Sequence, residues 1–233
     1  MSGPTLVIEL AEALSPAALR EFRALMVGLS SHFAEKRPGF FDVNVPAERL
    51  GVEDRQEEDW RKPFPLPLIG NTSADEELSA RVGFNPQPED WGRPFLVYLM
   101  GPGVGDENLF EAEHADEPEV ETILGFRPTH AVNVSACANR EIDHVATALL
   151  TAAVMDVIGG VAKTELLDGQ ASFIAGLPGV VGIADDDWMA LGTAEFLRSW
   201  VGNPAFRPRR VRREGCCALR RLRSVAAPPT GCR

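Results

Sequence analysis

Apolar residues first gather in a short run rich in β-formers, Thr5 to Leu10 (TLVIEL), which predicts a strand. The period then changes. Ser15 and Pro16 stand as N-cap and first helical residue ahead of Leu19, Phe22, Met26, Leu29 and Phe33 at spacings of three and four, so an amphipathic helix is expected over 15–36. Pro38-Gly39 stops it, and FFDVNV (40–45) reads as the next strand. Residues 46–93, dense in Pro, Gly and acid, predict a long irregular connection with one short helix near ADEELSARV. PFLVYLM (94–100) predicts a buried strand, followed by a second acidic loop over 101–118.

The second half is more regular. EVETILGF, THAVNVSA, VAKTELL, SFIAG and GVVGIA predict strands; NREIDHVATALLTAAVMDVIGG predicts a long helix stopped by Gly159 and Gly160; TAEFLRSWV predicts a closing helix. The order strand, helix, glycine stop, strand occurs at 5–45 and again at 130–167. The expected fold is therefore α+β: two strand–helix–strand units with a mixed or antiparallel sheet and helices packed on one face. A single domain over 1–206 is expected, with halves 1–100 and 119–206.

Charge changes the picture at the C-terminus. The chain carries −11 in 233 residues, yet residues 207–233 hold nine Arg and one Glu, so this tail adds +8 and leaves −19 on residues 1–206. Such a body repels nucleic acid and anionic lipid and suits a basic protein partner. The tail has the charge of an RNA-binding arm but no aromatic residue to stack bases, and its Arg, Ala, Pro, Gly and Cys vocabulary is that of GC-rich DNA read in a shifted frame. It is expected to be disordered. Three of the four cysteines (Cys216, Cys217, Cys232) lie in it, so no disulfide framework is expected in the body. No basic leader and no apolar run of about 20 residues is present, and a cytoplasmic location is expected.

Candidate chemistry is sparse. GPGVG (101–105) follows a strand as a phosphate cradle would, but it lacks the Lys-Ser/Thr of a P-loop and is followed by carboxylates, so it reads as a turn. On the long helix, stepping about 100° per residue from Ile142 puts Val145, Ala146, Leu149, Ala152, Ala153 and Val157 on one face, read as the core face. His144 and Thr151 fall opposite. Asp156 falls on the apolar face near the C-terminal end, where the helix dipole disfavours an anion; it is either a general base or ligand, or a group bonded to nearby hydroxyls and turn N–H groups. Cys137 sits at the strand-to-helix turn, where a thiol pKa can be lowered, without a base in view. Asp143, His144, Asp156 and Cys137 are the catalytic candidates. No His pair has zinc spacing, so no metal or other cofactor is expected.

The segments FRPTHAVNVSACANREIDHVATALLTAAVMDVIGGV, GLPGVVGIA and GTAEFLRSWVGNPAFR resemble an uncharacterised family of acidic cytosolic proteins from high-GC bacteria, over Gly3 to about Arg207. In that family an Asn at the helix start, an Asp-His pair and a closing FLRxWxxxPxFR recur, which picks out Asn139, Asp143 and His144. In kind, though not in motif, the chain is similar to the small acidic α+β immunity proteins that occlude a toxin's basic active site. The expected function is a non-enzymatic protein-binding module of this type. Its contact surface is expected on two acidic segments: Glu53, Asp54, Glu57, Glu58 and Asp59 in one, Asp106, Glu107, Glu111 and Glu113 in the other. The alternatives are a small hydrolase or transferase built on Asp143, His144 and Asp156, and nucleic-acid binding through the tail.

Overall fold

A computed structural model describes residues 3–52, 92–114, 117–184, 188–203 and 206. The β-rich runs form strands β1 (Thr5–Leu10), β2 (His32–Arg37), β3 (Phe40–Val45), β4 (Arg93–Met100), β5 (His130–Ala136), β6 (Val161–Glu165), β7 (Val180–Ala184) and β8 (Met189–Gly192). Between them lie α1 (Pro16–Leu29), α2 (Glu107–Glu113), α3 (Pro118–Leu124), α4 (Glu141–Ile158), the single turn α5 (Ala171–Ile174) and α6 (Ala194–Val201), with a 3-10 turn at Ala47–Leu50. All eight strands join one antiparallel sheet in the order β2-β3-β4-β5-β1-β6-β8-β7. The expected α+β class with an antiparallel sheet holds, but helices cover both faces of the sheet and not one, because both faces carry apolar residues to bury. Because β1 pairs with both β5 and β6, the first strand of the chain lies inside the sheet between strands of the second half.

Alternation along the strands splits the sheet into two chemistries. Leu6, Ile8 and Leu10 of β1, Phe95, Val97 and Leu99 of β4, and Val132, Val134 and Ala136 of β5 enter the main core, which α1, α4 and α6 cover with Phe22, Met26, Leu150, Phe196 and Trp200. The residues between them face the other way. There α2 brings Phe110 onto Val7, Tyr98 and Met100, and α3 brings Val120 and Ile123 onto Ala184 and Leu191.

Several elements differ from the sequence expectation, each for a readable reason. The first helix ends at Leu29, and Phe33, expected on it, belongs to β2, whose hairpin with β3 sets Phe33 against Phe41 at 5.8 Å. Sheet pairing overrides the helical spacing there. Residues 119–124, expected as a strand, form α3: Pro118 starts it, Glu119 and Glu121 sit in its first turn, and Gly125 closes it in the left-handed conformation. The acidic segment expected as a loop contains α2. SFIAG is a helical turn, and β8 is a strand the pattern did not announce. The GPGVG turn is as expected, bridged from Gly101 to Gly105.

The core face of α4 also differs. Asp143, Thr147, Leu150, Thr151 and Val154 are buried, whereas Val145, Leu149 and Val157 are only half-buried and Asp156 is exposed. The helix is apolar over most of its circumference, so its pattern does not fix its rotation. Its two threonines enter the core without an unpaired hydroxyl, since Thr147 donates to the Asp143 carbonyl at 2.6 Å and Thr151 to the Thr147 carbonyl at 2.8 Å.

After α4 the chain returns to the sheet through Gly160, at φ +89°, where an added Cβ would lie 2.7 Å from Ile8 Cγ2 and 2.8 Å from the Glu9 carbonyl oxygen. Gly160→Ala is expected to destabilise the fold by at least about 1 kcal/mol from backbone conformation alone, read as a lower urea midpoint.

Candidate functional site

The second face of the sheet carries charges where an apolar strand would place a hydrophobe. On β1, Glu9 points to this face and is fully buried; on β6, Lys163 does the same and is 8% exposed. The register pairs Val7 with Lys163 and Glu9 with Val161, which makes Glu9 and Lys163 diagonal neighbours. Lys163 Nζ reaches Glu9 Oε1 at 2.9 Å and Glu117 Oε2 at 2.7 Å. His114, just past the end of α2, completes the cluster. Its Nε2 lies 2.6 Å from Glu9 Oε2, its Nδ1 lies 2.8 Å from the Phe110 carbonyl oxygen, and its ring stacks on Phe110 at 4.0 Å.

The protonation states follow from this arrangement. Burial alone would raise the Glu9 carboxyl, but the hydrogen bond from His114 and the Lys163 charge outweigh it and hold the group below its ordinary value. Burial pulls His114 down, and the bond and charge of Glu9 lift it above the usual histidine value. Lys163 is drawn down by burial and lifted further by Glu9 and Glu117. All three effects favour the charged forms.

Above this floor opens a cleft of about 390 Å³. Phe110, Val120 and Pro128 give it apolar walls; Glu111, Glu117 and Glu121 bring carboxylates, and Arg127 and His114 complete the lining. Arg127 is held to Glu121 at 3.4 Å, and Glu111 is exposed on α2.

The residues singled out from the sequence are placed elsewhere or in other roles. Asp143 is buried at the start of α4, where Oδ2 accepts the Arg140 N–H at 2.6 Å and Oδ1 lies 3.3 Å from the buried Arg93 Nε. His144 Nε2 bonds Asn139 Oδ1 at 2.9 Å. Asp156 forms a two-pronged pair with Arg198 of α6, with Nη1 to Oδ1 at 3.2 Å and a second contact between Nη2 and Oδ2. Asp143 and Asp156 occupy opposite ends of α4, roughly 20 Å apart at 1.5 Å rise per residue. They do not converge. Cys137 is exposed at the β5–α4 turn. Asp106 pairs with Arg37 at 2.7 Å, and Glu107 accepts the Gly103 N–H at 2.7 Å. Glu113 ends α2 next to His114 and is half-buried. Glu53, Asp54, Glu57, Glu58 and Asp59, and the Arg-rich tail, lie outside the described residues.

Sequence reasoning missed Glu9, His114, Glu117 and Lys163. The available signal was Glu9 as the one charge in the apolar run TLVIEL, and Lys163 alternating with Glu165 in VAKTELL. Among the described residues no three His, Cys, Asp or Glu side chains are grouped to hold a metal, and no helix is long and apolar enough to cross a membrane.

Comparison of the chain with known proteins matches residues 2–208 to a family of unknown function, DUF6368. The chain belongs to this family. The DUF6368 match spans every element described above, from β1 to α6, and so includes both the cleft and the polar start of α4. No curated protein and no solved structure is significantly similar to the chain.

Proposed function

We propose that this member of the DUF6368 family is a non-enzymatic, cytoplasmic protein-binding module that takes a basic partner on its acidic α2–α3 face, in the manner of an immunity protein occluding a basic toxin. The observation that carries this reading is the cleft between α2 and α3, where Glu111, Glu117 and Glu121 surround apolar walls from Phe110, Val120 and Pro128. Carboxylates beside apolar walls suit the Lys or Arg side chains of a partner, whose charged heads and aliphatic stems match the two parts. The −19 charge on residues 1–206 extends the attraction beyond the cleft. The hydrolase alternative needs Asp143, His144 and Asp156 in one pocket, and their dispersal along α4 counts against it.

The test is capture from a lysate of the source cell, using both the full chain and a chain ending at Phe206, at low and at high salt, with mass spectrometry of the eluate. A basic protein retained by both chains at low salt and released at high salt is the expected result. Retention by the full chain alone would transfer the interaction to the tail and defeat the reading.

A further inference from the structure

The bonding of His114 leaves its ring one consistent protonation state. The partner of Nδ1 is the Phe110 carbonyl, which can only accept, so Nδ1 carries a proton. The partner of Nε2 is Glu9 Oε2 at 2.6 Å. The other Glu9 oxygen is 2.9 Å from Lys163 Nζ, which keeps that carboxyl ionised, so Nε2 must donate as well. His114 is an imidazolium whose two protons join different parts of the fold. One bond turns back into α2; the other reaches β1 beneath it.

We infer that His114 is a protonation-dependent clasp: with both ring nitrogens protonated it ties the end of α2 to the buried Glu9, and loss of one ring proton loosens the end of α2 from the sheet. Removing the Nε2 proton would set a nitrogen lone pair against a carboxylate oxygen across 2.6 Å, a contact that cannot persist. The other ties of this cover to the sheet are the packing of Phe110 and Val120, the Glu117–Lys163 pair and the Asp106–Arg37 pair. Helices α2 and α3 are seven residues each, too short to stand without tertiary contacts, and neither has a side-chain N-cap bond. The groups facing the ring from other elements are Glu9 on β1, Lys163 on β6, Glu117 and Glu121 at α3, and Arg127 beyond it; Glu111 and Glu113 lie on α2 itself. Because the His114 pKa is raised in the fold, the stabilisation is complete below the ordinary value of 6.5 and is lost as pH rises through the raised value. The clasp therefore opens on the alkaline side. Since His114 and Phe110 line the cleft, its shape follows the same equilibrium. The inference stands on the geometry of the cluster and holds whether or not the cleft takes a basic protein.

The experiment is a pH titration of the full chain labelled with 15N, reading the His114 ring nitrogens by long-range correlation and the amides of 107–124 by hydrogen exchange, with α4 as internal reference. At neutral pH both His114 nitrogens should show the protonated signature. Above the ring's titration, exchange at 107–124 should rise beyond the intrinsic pH effect by about tenfold for each unit of pKa elevation. His114→Gln, which cannot titrate, should remove this extra rise. Glu9→Gln supplies a second readout should that variant not fold: it should shift the His114 titration downward. A neutral His114 ring at neutral pH, an exchange profile indifferent to the ring's titration, or a titration unmoved by Glu9→Gln would each overturn the clasp.

Discussion

Replacing Lys163 with Met is expected to lower the unfolding free energy by about 3–5 kcal/mol, the range for removing one partner of a buried ion pair. Lys163 Nζ lies within 2.9 Å of Glu9 and 2.7 Å of Glu117, and Glu9 has no access to solvent. Without the ammonium, Glu9 keeps only His114 as a cationic partner in a medium where a carboxylate is costly. Glu9→Gln removes the charge that Lys163 and His114 answer and is destabilising in its turn. The double variant should be markedly less destabilised than the sum of the two, with a coupling of about 0.5–3 kcal/mol, because neither charge is then left alone. Urea unfolding of the four proteins closes the cycle. Additive single effects would mean that the two side chains act independently and that the cluster is not a unit.

Trp200→Ala is the second large loss, about 3–5 kcal/mol. Trp200 is 1% exposed, stacks on Phe196 at 5.4 Å and meets Phe206 edge-on at 5.0 Å, so it joins α6 to the end of the described chain and to the main core. Its indole N–H is buried without a hydrogen-bond partner among the described residues, an uncommon state for a buried Trp. Trp200→Phe deletes that orphan donor while keeping most of the apolar area, and it should cost less than about 1.5 kcal/mol. Unfolding followed by far-UV circular dichroism separates the two. A Phe variant as damaged as the Ala variant would show that the indole makes a contact that the packing here does not account for.

The two losses lie on opposite faces of the sheet, and the sequence disclosed those faces unequally. Apolar runs such as TLVIEL, FFDVNV and PFLVYLM announce strands because β-branched and aromatic residues pack a pleated surface, and the N-cap Ser15 with Pro16 announces α1. The rotation of α4 was not legible, since apolar residues surround it and Thr147 and Thr151 satisfy their own hydroxyls within the helix. Helices α2 and α3 were hidden for the opposite reason: each is seven residues long, five of their fourteen positions are Glu, and each offers a single buried anchor, Phe110 or Val120. The charged cluster depends on register and on a contact between His114 and Glu9, 105 residues apart, neither of which local pattern encodes. Asp143, by contrast, drew notice through the recurrent Asp-His pair; its bond from the Arg140 N–H and its ion pair with Arg93 give it a role in anchoring the start of α4.

The measurement that bears most directly on the proposed function compares capture of the basic partner by two charge-reversed forms of the chain. One carries Glu111→Lys, exposed on α2 at the cleft; the other carries Glu21→Lys, exposed on α1 across the sheet, so both change the net charge by the same amount. The account predicts that the first form loses the partner at a salt concentration where the second retains it. Equal retention by both, or equal loss from both, would contradict it, because the attraction would then belong to the net charge of the chain and not to the α2–α3 face.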